Sequence, residues 1–139
     1  MKRLIIQSII VGVTICLSLS ILSIGLAQEK TAGELSVEKG VICLDVIDRV
    51  PVGAGDIFPK DVPRLFCFTK IIGAKTPTSV THLWYQNGLL KAKVSLPVNS
   101  ASWRTWSSSE MSSEKTGNWL VEVVSEDGVA LDSIVFIVK

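Results

Sequence analysis

Nucleophilic hydrolysis needs a base beside a nucleophile, with a third group to orient the base. The chain has one histidine, His82, and many serines, of which Ser107 and Ser108 follow a pair of tryptophans. No serine sits in a Gly-x-Ser-x-Gly elbow, so a set built from His82, Ser107 or Ser108 and an aspartate has no local signature. Hydrolysis by a carboxylate pair wants two converging acids, and the acids here fall mostly in expected loops and turns. Gly53-Ala54-Gly55 lacks the helix and lysine of a phosphate-binding loop. Apart from Cys16 in the apolar front of the chain, two cysteines, Cys43 and Cys67, and one histidine do not make a zinc set, which takes four ligands in close pairs. The expectation is a non-catalytic protein with no cofactor and no metal; a small hydrolase is the weakest alternative.

Stacking and charge fit the residues better. In SWRTWSSSEM, Ser102 to Met111, two tryptophans flank an arginine and a run of serines follows. Sugar rings and other flat ligands stack on exposed aromatics with polar neighbours, and arginine beside tryptophan adds a cation–π contact of ~0.5–1 kcal/mol. The candidate binding residues are His82, Trp84, Lys91, Lys93, Arg104 and Trp106. The competing reading is structural, because a small sandwich buries tryptophans. Trp119 alternates with Val121 and Val123 and is expected in the core, as is Trp103. Trp84 and Trp106 are divided evenly between core and surface. His82 could equally be a hydrogen-bonded sheet residue, and Arg104 half of a surface ion pair contributing ~0–1 kcal/mol.

These side chains need strands to position them. VICLDVIDRV (41–50), RLFCFTKII (64–72), VTHLWYQ, LLKAKVSL, SWRTWSS, NWLVEVVS and VALDSIVFIVK read as seven strands. PVGAGDIFPKDVP (51–63) holds three prolines and two glycines and reads as a loop. Asn87-Gly88 between two β-like runs predicts a two-residue hairpin, because both turn positions need positive φ. Regular register then pairs Gln86 with Leu89, Tyr85 with Leu90, Trp84 with Lys91, Leu83 with Ala92 and His82 with Lys93. Leu83, Tyr85, Leu90, Ala92, Val94 and Leu96 would share the inward face, and His82, Trp84, Lys91 and Lys93 the outward one. On SWRTWSS, Arg104 and Trp106 share one face, and Trp103 and Thr105 the other. The fold class is all-β, an immunoglobulin-like antiparallel sandwich of about seven strands over residues 40–139, after a linker at 28–39.

The front of the chain is a separate matter. Met1-Lys2-Arg3 is basic, and the 23 residues from Leu4 to Leu26 carry no charge. Gly25-Leu26-Ala27 then offers small residues before the polar Gln28. This pattern predicts a secretory signal over residues 1–27, cut after Ala27. The alternative is an uncleaved membrane anchor across residues 4–26, long enough to span ~30 Å as a helix. Either way the rest is expected outside the cytoplasm, periplasmic or extracellular. Cleavage leaves 112 residues, one domain's worth. Removing Lys2 and Arg3 from the 14 basic residues leaves 12 against 13 acidic ones, and this balance argues against nucleic acid. In an oxidising compartment Cys43 and Cys67 are expected to pair, a closure of ~3 kcal/mol. Two reduced, buried thiols are the alternative.

Three blocks carry a family likeness: HxWY (His82, Trp84, Tyr85), WRTWSS (Trp103 to Ser108) and GxWxVEV (Gly117 to Val123). With the cysteine strand, Arg49-Val50-Pro51 and LFCFTKI before them, the chain resembles the bacterial domain-of-unknown-function family 2914 from about Gly40 to Val138. The resemblance implies an exported or membrane-tethered domain and no established activity. Related sequences often carry a lysine after the serine run, where this chain has Ser109. The expected role is a binding module whose partner is another envelope protein or a polysaccharide of the envelope.

Overall fold

The computed structural model describes residues 34–139. The expected signal or anchor, residues 1–27, and the start of the expected linker lie outside the described residues. The strands are β1 (Ser36–Cys43), β2 (Asp45–Ile47), β3 (Val50–Val52), β4 (Ile57–Phe58), β5 (Arg64–Ile72), β6 (Thr78–Gln86), β7 (Leu89–Val98), β8 (Ser102–Glu110), β9 (Gly117–Ser125) and β10 (Ala130–Val138). The protein is all-β, and no α-helix occurs among the described residues; a 3-10 turn at Ser113–Lys115 is the helical element.

Seven of these strands are long, and six match expected runs; β1 meets the expected run 41–50 only at Val41 to Cys43. The expected linker is corrected at its end: Ser36 to Lys39 pair with β5, opposite Ile72 to Lys70. Leu35 and Val37 pack on the core, but their polar neighbours and a bulge between Val37 and Lys39 hide the apolar period. The run 41–50 is also not one strand. It breaks after Cys43, and β2 turns back through Asp48-Arg49 to pair with β3, inside the stretch that composition marks as loop.

A three-stranded sheet, β1-β5-β8, faces a five-stranded sheet, β4-β10-β9-β6-β7, and β2-β3 form a separate ribbon. All pairings are antiparallel except β4 with β10. Between the sheets lie Ile42, Leu65, Cys67, Trp84, Trp119, Val121 and Phe136 at one end, and Ile71, Val80, Val98 and Val123 at the other. Trp84 meets both Trp119 and Phe136 edge-on, with centroids 6.3 and 6.2 Å apart, the preferred arrangement for aromatic quadrupoles.

The Asn87-Gly88 turn forms as expected, with φ of 48° and 81°. Its register does not continue regularly. Tyr85 pairs with Leu90, but Trp84 pairs with Ala92, leaving Lys91 as an extra residue. The expected facing of β6 is therefore corrected. Val80, His82, Trp84 and Gln86 point inward, with His82 and Trp84 0% exposed, while Leu83 and Tyr85 are half-buried on the outer face. Leu90 is exposed, also against expectation. The bulge brings Ala92, Val94, Leu96 and Val98 of β7 onto the same side as Trp84 and His82.

The expected disulfide is corrected as well. Cys43 and Cys67 are free thiols, both buried. Ile42, not Cys43, stands opposite Cys67, so the cysteines leave adjacent strands on opposite faces. Cys67 enters the core, while Cys43 lies under the β2–β3 ribbon with its thiol 3.8 Å from the Phe66 carbonyl. Burial raises the pKa of both thiols.

Candidate functional site

The six candidate residues do not form one surface. His82 and Trp84 are in the core. Lys91 and Lys93 are exposed on β7, in the five-stranded sheet. Arg104 and Trp106 lie on β8, in the other sheet, and share its outer face as alternation predicts. The hairpin face and the Arg104-Trp106 face stay apart because β6 and β8 sit in different sheets that face each other.

The buried pair His82 and Ser107 has the composition of two of the three members of a hydrolytic triad. The His82 Nδ1 to Ser107 Oγ distance is 2.6 Å, and His82 Nε2 lies 3.2 Å from Thr69 Oγ1. Thr69 donates its hydroxyl proton to the Thr105 carbonyl, and the Trp84 indole N–H donates to Ser107 Oγ. One proton arrangement satisfies every partner: His82 neutral with its proton on Nε2, and Ser107 donating to Nδ1. Desolvation holds His82 to a pKa of about 4, against its usual 6.5. With His82 0% and Ser107 5% exposed, a substrate reaches neither unless the sheets part. The arrangement fastens β6 to β5 and β8 through polar contacts.

The outer face of the three-stranded sheet is different. Cross-strand register aligns Lys39, Lys70 and Arg104 in one row, and Val41, Phe68 and Trp106 in the next. The Phe68 and Trp106 rings stack at 6.4 Å, which leaves Phe68 2% exposed. Above them stands the β2–β3 turn, in which Asp48 and Arg49 both take left-handed φ, 51° and 62°. Two such residues make the tight turn that matches strand twist, yet a long side chain at positive φ is strained by roughly 1–2 kcal/mol. The turn sets the Arg49 guanidinium 5.5 Å from the Trp103 ring centroid, and its carbonyl accepts a hydrogen bond from Arg104 Nη1 at 3.2 Å.

Three hollows of about 400, 330 and 340 Å³ meet at Arg49 and Arg104. The largest is lined by Phe68, Val50 and Pro51 and by Glu38, Lys39 and Lys70. The third lies along Trp103 and Trp106. Glu38 forms an ion pair with Lys70 at 2.5 Å. Among the described residues no group of three or more His, Cys, Asp or Glu side chains could hold a metal ion.

Lys39, Arg49 and Lys70 were not among the residues expected at a site. Lys39 falls in the expected linker, Arg49 in a presumed continuous strand, and Lys70 in an apolar run. One signal was available: Asp48-Arg49 between VI and VPV is a possible two-residue turn. The register that sets Lys70 against Arg104 is a long-range fact.

A second outer surface is apolar. Leu90, Tyr85, Leu120 and Val135 form a single cross-strand row over β7, β6, β9 and β10. Leu90 and Val135 are 53% and 70% exposed.

The profile of the family DUF2914, a protein of unknown function, matches residues 77–138, from just before β6 to the end of β10. All three blocks that carry the resemblance lie inside this span, so the family likeness holds there. Residues 40–76, which the resemblance also took in, lie before it. No curated protein matches the chain.

Proposed function

We propose, on the premise of a DUF2914 domain over residues 77–138, that this chain is an exported, non-catalytic binding module. Its contact surface is the outer face of the three-stranded sheet, and its ligand is a polymer of the cell envelope. The observation that carries this reading is the set of hollows converging on Arg49 and Arg104, beside Trp106. Export rests on the basic start, the uncharged 4–26 segment and the small residues before Gln28.

An immunoglobulin-like plan is supported by strand order. Counting the long strands alone, the second pairs with the fifth, the third with the sixth and the sixth with the seventh, as in that fold. The fourth, β7, lies beside the third. A carbohydrate-binding module is the same reading with its ligand class narrowed. A protein partner is the second reading, favoured by the Leu90-Tyr85-Leu120-Val135 row, since exposed apolar patches often mark contact sites. The hydrolase reading draws no support from a His82-Ser107 pair closed off from solvent.

The test is retention of the purified protein on isolated envelope polymer. Trp106→Ala and Arg104→Ala should each weaken it while the circular dichroism spectrum and melting transition stay those of a folded domain. Folded variants that are retained as well as wild type refute the assignment of this face.

A further inference from the structure

Like charges directly opposite each other in a β-ladder repel. The row Lys39-Lys70-Arg104 sets three cations side by side across three strands, and the strained β2–β3 turn adds Arg49 above them. Arg49 and Arg104 line all three hollows, and their acidic lining residues are Glu38, already on Lys70, and Asp48. The protein as a whole has no basic surplus once Lys2 and Arg3 are set aside. Cations are therefore gathered here against local repulsion, and a sequence that breaks a local rule commonly does so at a functional site.

Two further features narrow the ligand. Guanidinium groups present planar forks that match carboxylate geometry. Beside them the third hollow runs along the outward-facing indole of Trp106, and the first has Val50 and Pro51 in its lining. A ligand that uses both needs an anionic group attached to a ring with a flat apolar face. Three adjoining hollows make an open surface suited to a chain more than a single small molecule.

We propose that this cleft binds an acidic polysaccharide. Arg49, Arg104 and Lys39 take the carboxylates of uronate residues, and Trp106 carries the sugar rings. This rests on the binding face assigned above and specifies its ligand.

The probe is polygalacturonate, titrated against the purified protein by affinity electrophoresis and calorimetry, with neutral dextran and polyphosphate in parallel. Polygalacturonate should bind, dextran should not, and polyphosphate should bind more weakly because it has no ring to stack. Arg49→Gln with Arg104→Gln should reduce polygalacturonate affinity by about tenfold or more. The same charge change at Lys91→Gln with Lys93→Gln, on the other sheet, should alter it less than about twofold. If the double arginine variant is unstable, Lys39→Gln alone should still weaken binding several-fold. The inference is overturned if polygalacturonate is not bound, if polyphosphate binds equally well, or if the Lys91 and Lys93 changes cost as much as the arginine changes. Should Trp106→Ala abolish retention on native envelope polymer while polygalacturonate is ignored by wild type, the binding face stands and its acidic-glycan assignment falls.

Discussion

His82 of β6 and Ser107 of β8 meet between the two sheets at 2.6 Å, and Ser107 also accepts the Trp84 indole proton at 3.0 Å. A histidine and a serine so placed look catalytic in a sequence. Here their hydrogen bonds are saturated by Thr69, Trp84 and each other, and no water-facing valence is left. A buried polar network in this state is rigid, but it depends on every member.

Acid should therefore loosen the fold. The folded pKa of His82, about 4, lies below the value of about 6.5 for an unfolded histidine. Between these values the unfolded chain binds the proton and the folded one does not, so stability falls as pH drops. It should be flat above about pH 6.5 and decline toward pH 4, by an order of 3 kcal/mol in all. Urea midpoints at pH 7.5, 6 and 5 measure the slope. A His82→Gln protein should lose most of the decline between pH 6.5 and 5, where carboxylates contribute least; an unchanged slope contradicts the assignment.

Ser107→Ala removes the shared partner of two buried groups. It should cost about 2–4 kcal/mol, since each unsatisfied buried group costs about 1–3 kcal/mol. Ser109→Ala, next on the same face and bonded only to its neighbour's carbonyl, should stay within about 0.5 kcal/mol. Chemical denaturation at neutral pH compares them directly.

Arg49→Gly separates stability from binding. Asp-Gly is a preferred pair for a two-residue turn, and glycine takes a φ of 62° without strain. The melting temperature should hold or rise, by up to about 1 kcal/mol in stability, while ligand affinity at the cleft drops. A variant that gains stability and binds as before removes Arg49 from the site.

The cysteines should behave as closed-off thiols. Neither Cys43 nor Cys67 should react with a disulfide reagent in the native protein, and both should react in denaturant. Adding reductant should leave the melting temperature in place. A drop of the size that a ~3 kcal/mol cross-link confers would show that the two are bonded after all.

What could be read in advance was local. Alternation alone places Arg104 with Trp106 and Trp103 with Thr105, as the structure does. Six of the seven long strands and the Asn87-Gly88 turn also follow from residue type. The facing of β6 did not, because a histidine reads as polar, and therefore outward, until Thr69 and Ser107 of the opposite sheet are known to receive it. The cationic row escaped for the same reason. Lys39, Lys70 and Arg104 are far apart in the chain and become neighbours only through strand register.

The surplus residue at Lys91 has a consequence for comparing this chain with its relatives. Counted from the Asn-Gly turn, Leu90 and Ala92 are two apart, yet they look to opposite sides of the sheet. A relative that lacks one residue at this point keeps Ala92 across from Trp84, and loses only the unpaired position. Gaps in this interval should thus be placed by tallying residues from the turn, and a deletion of Lys91 should leave the interior as it is.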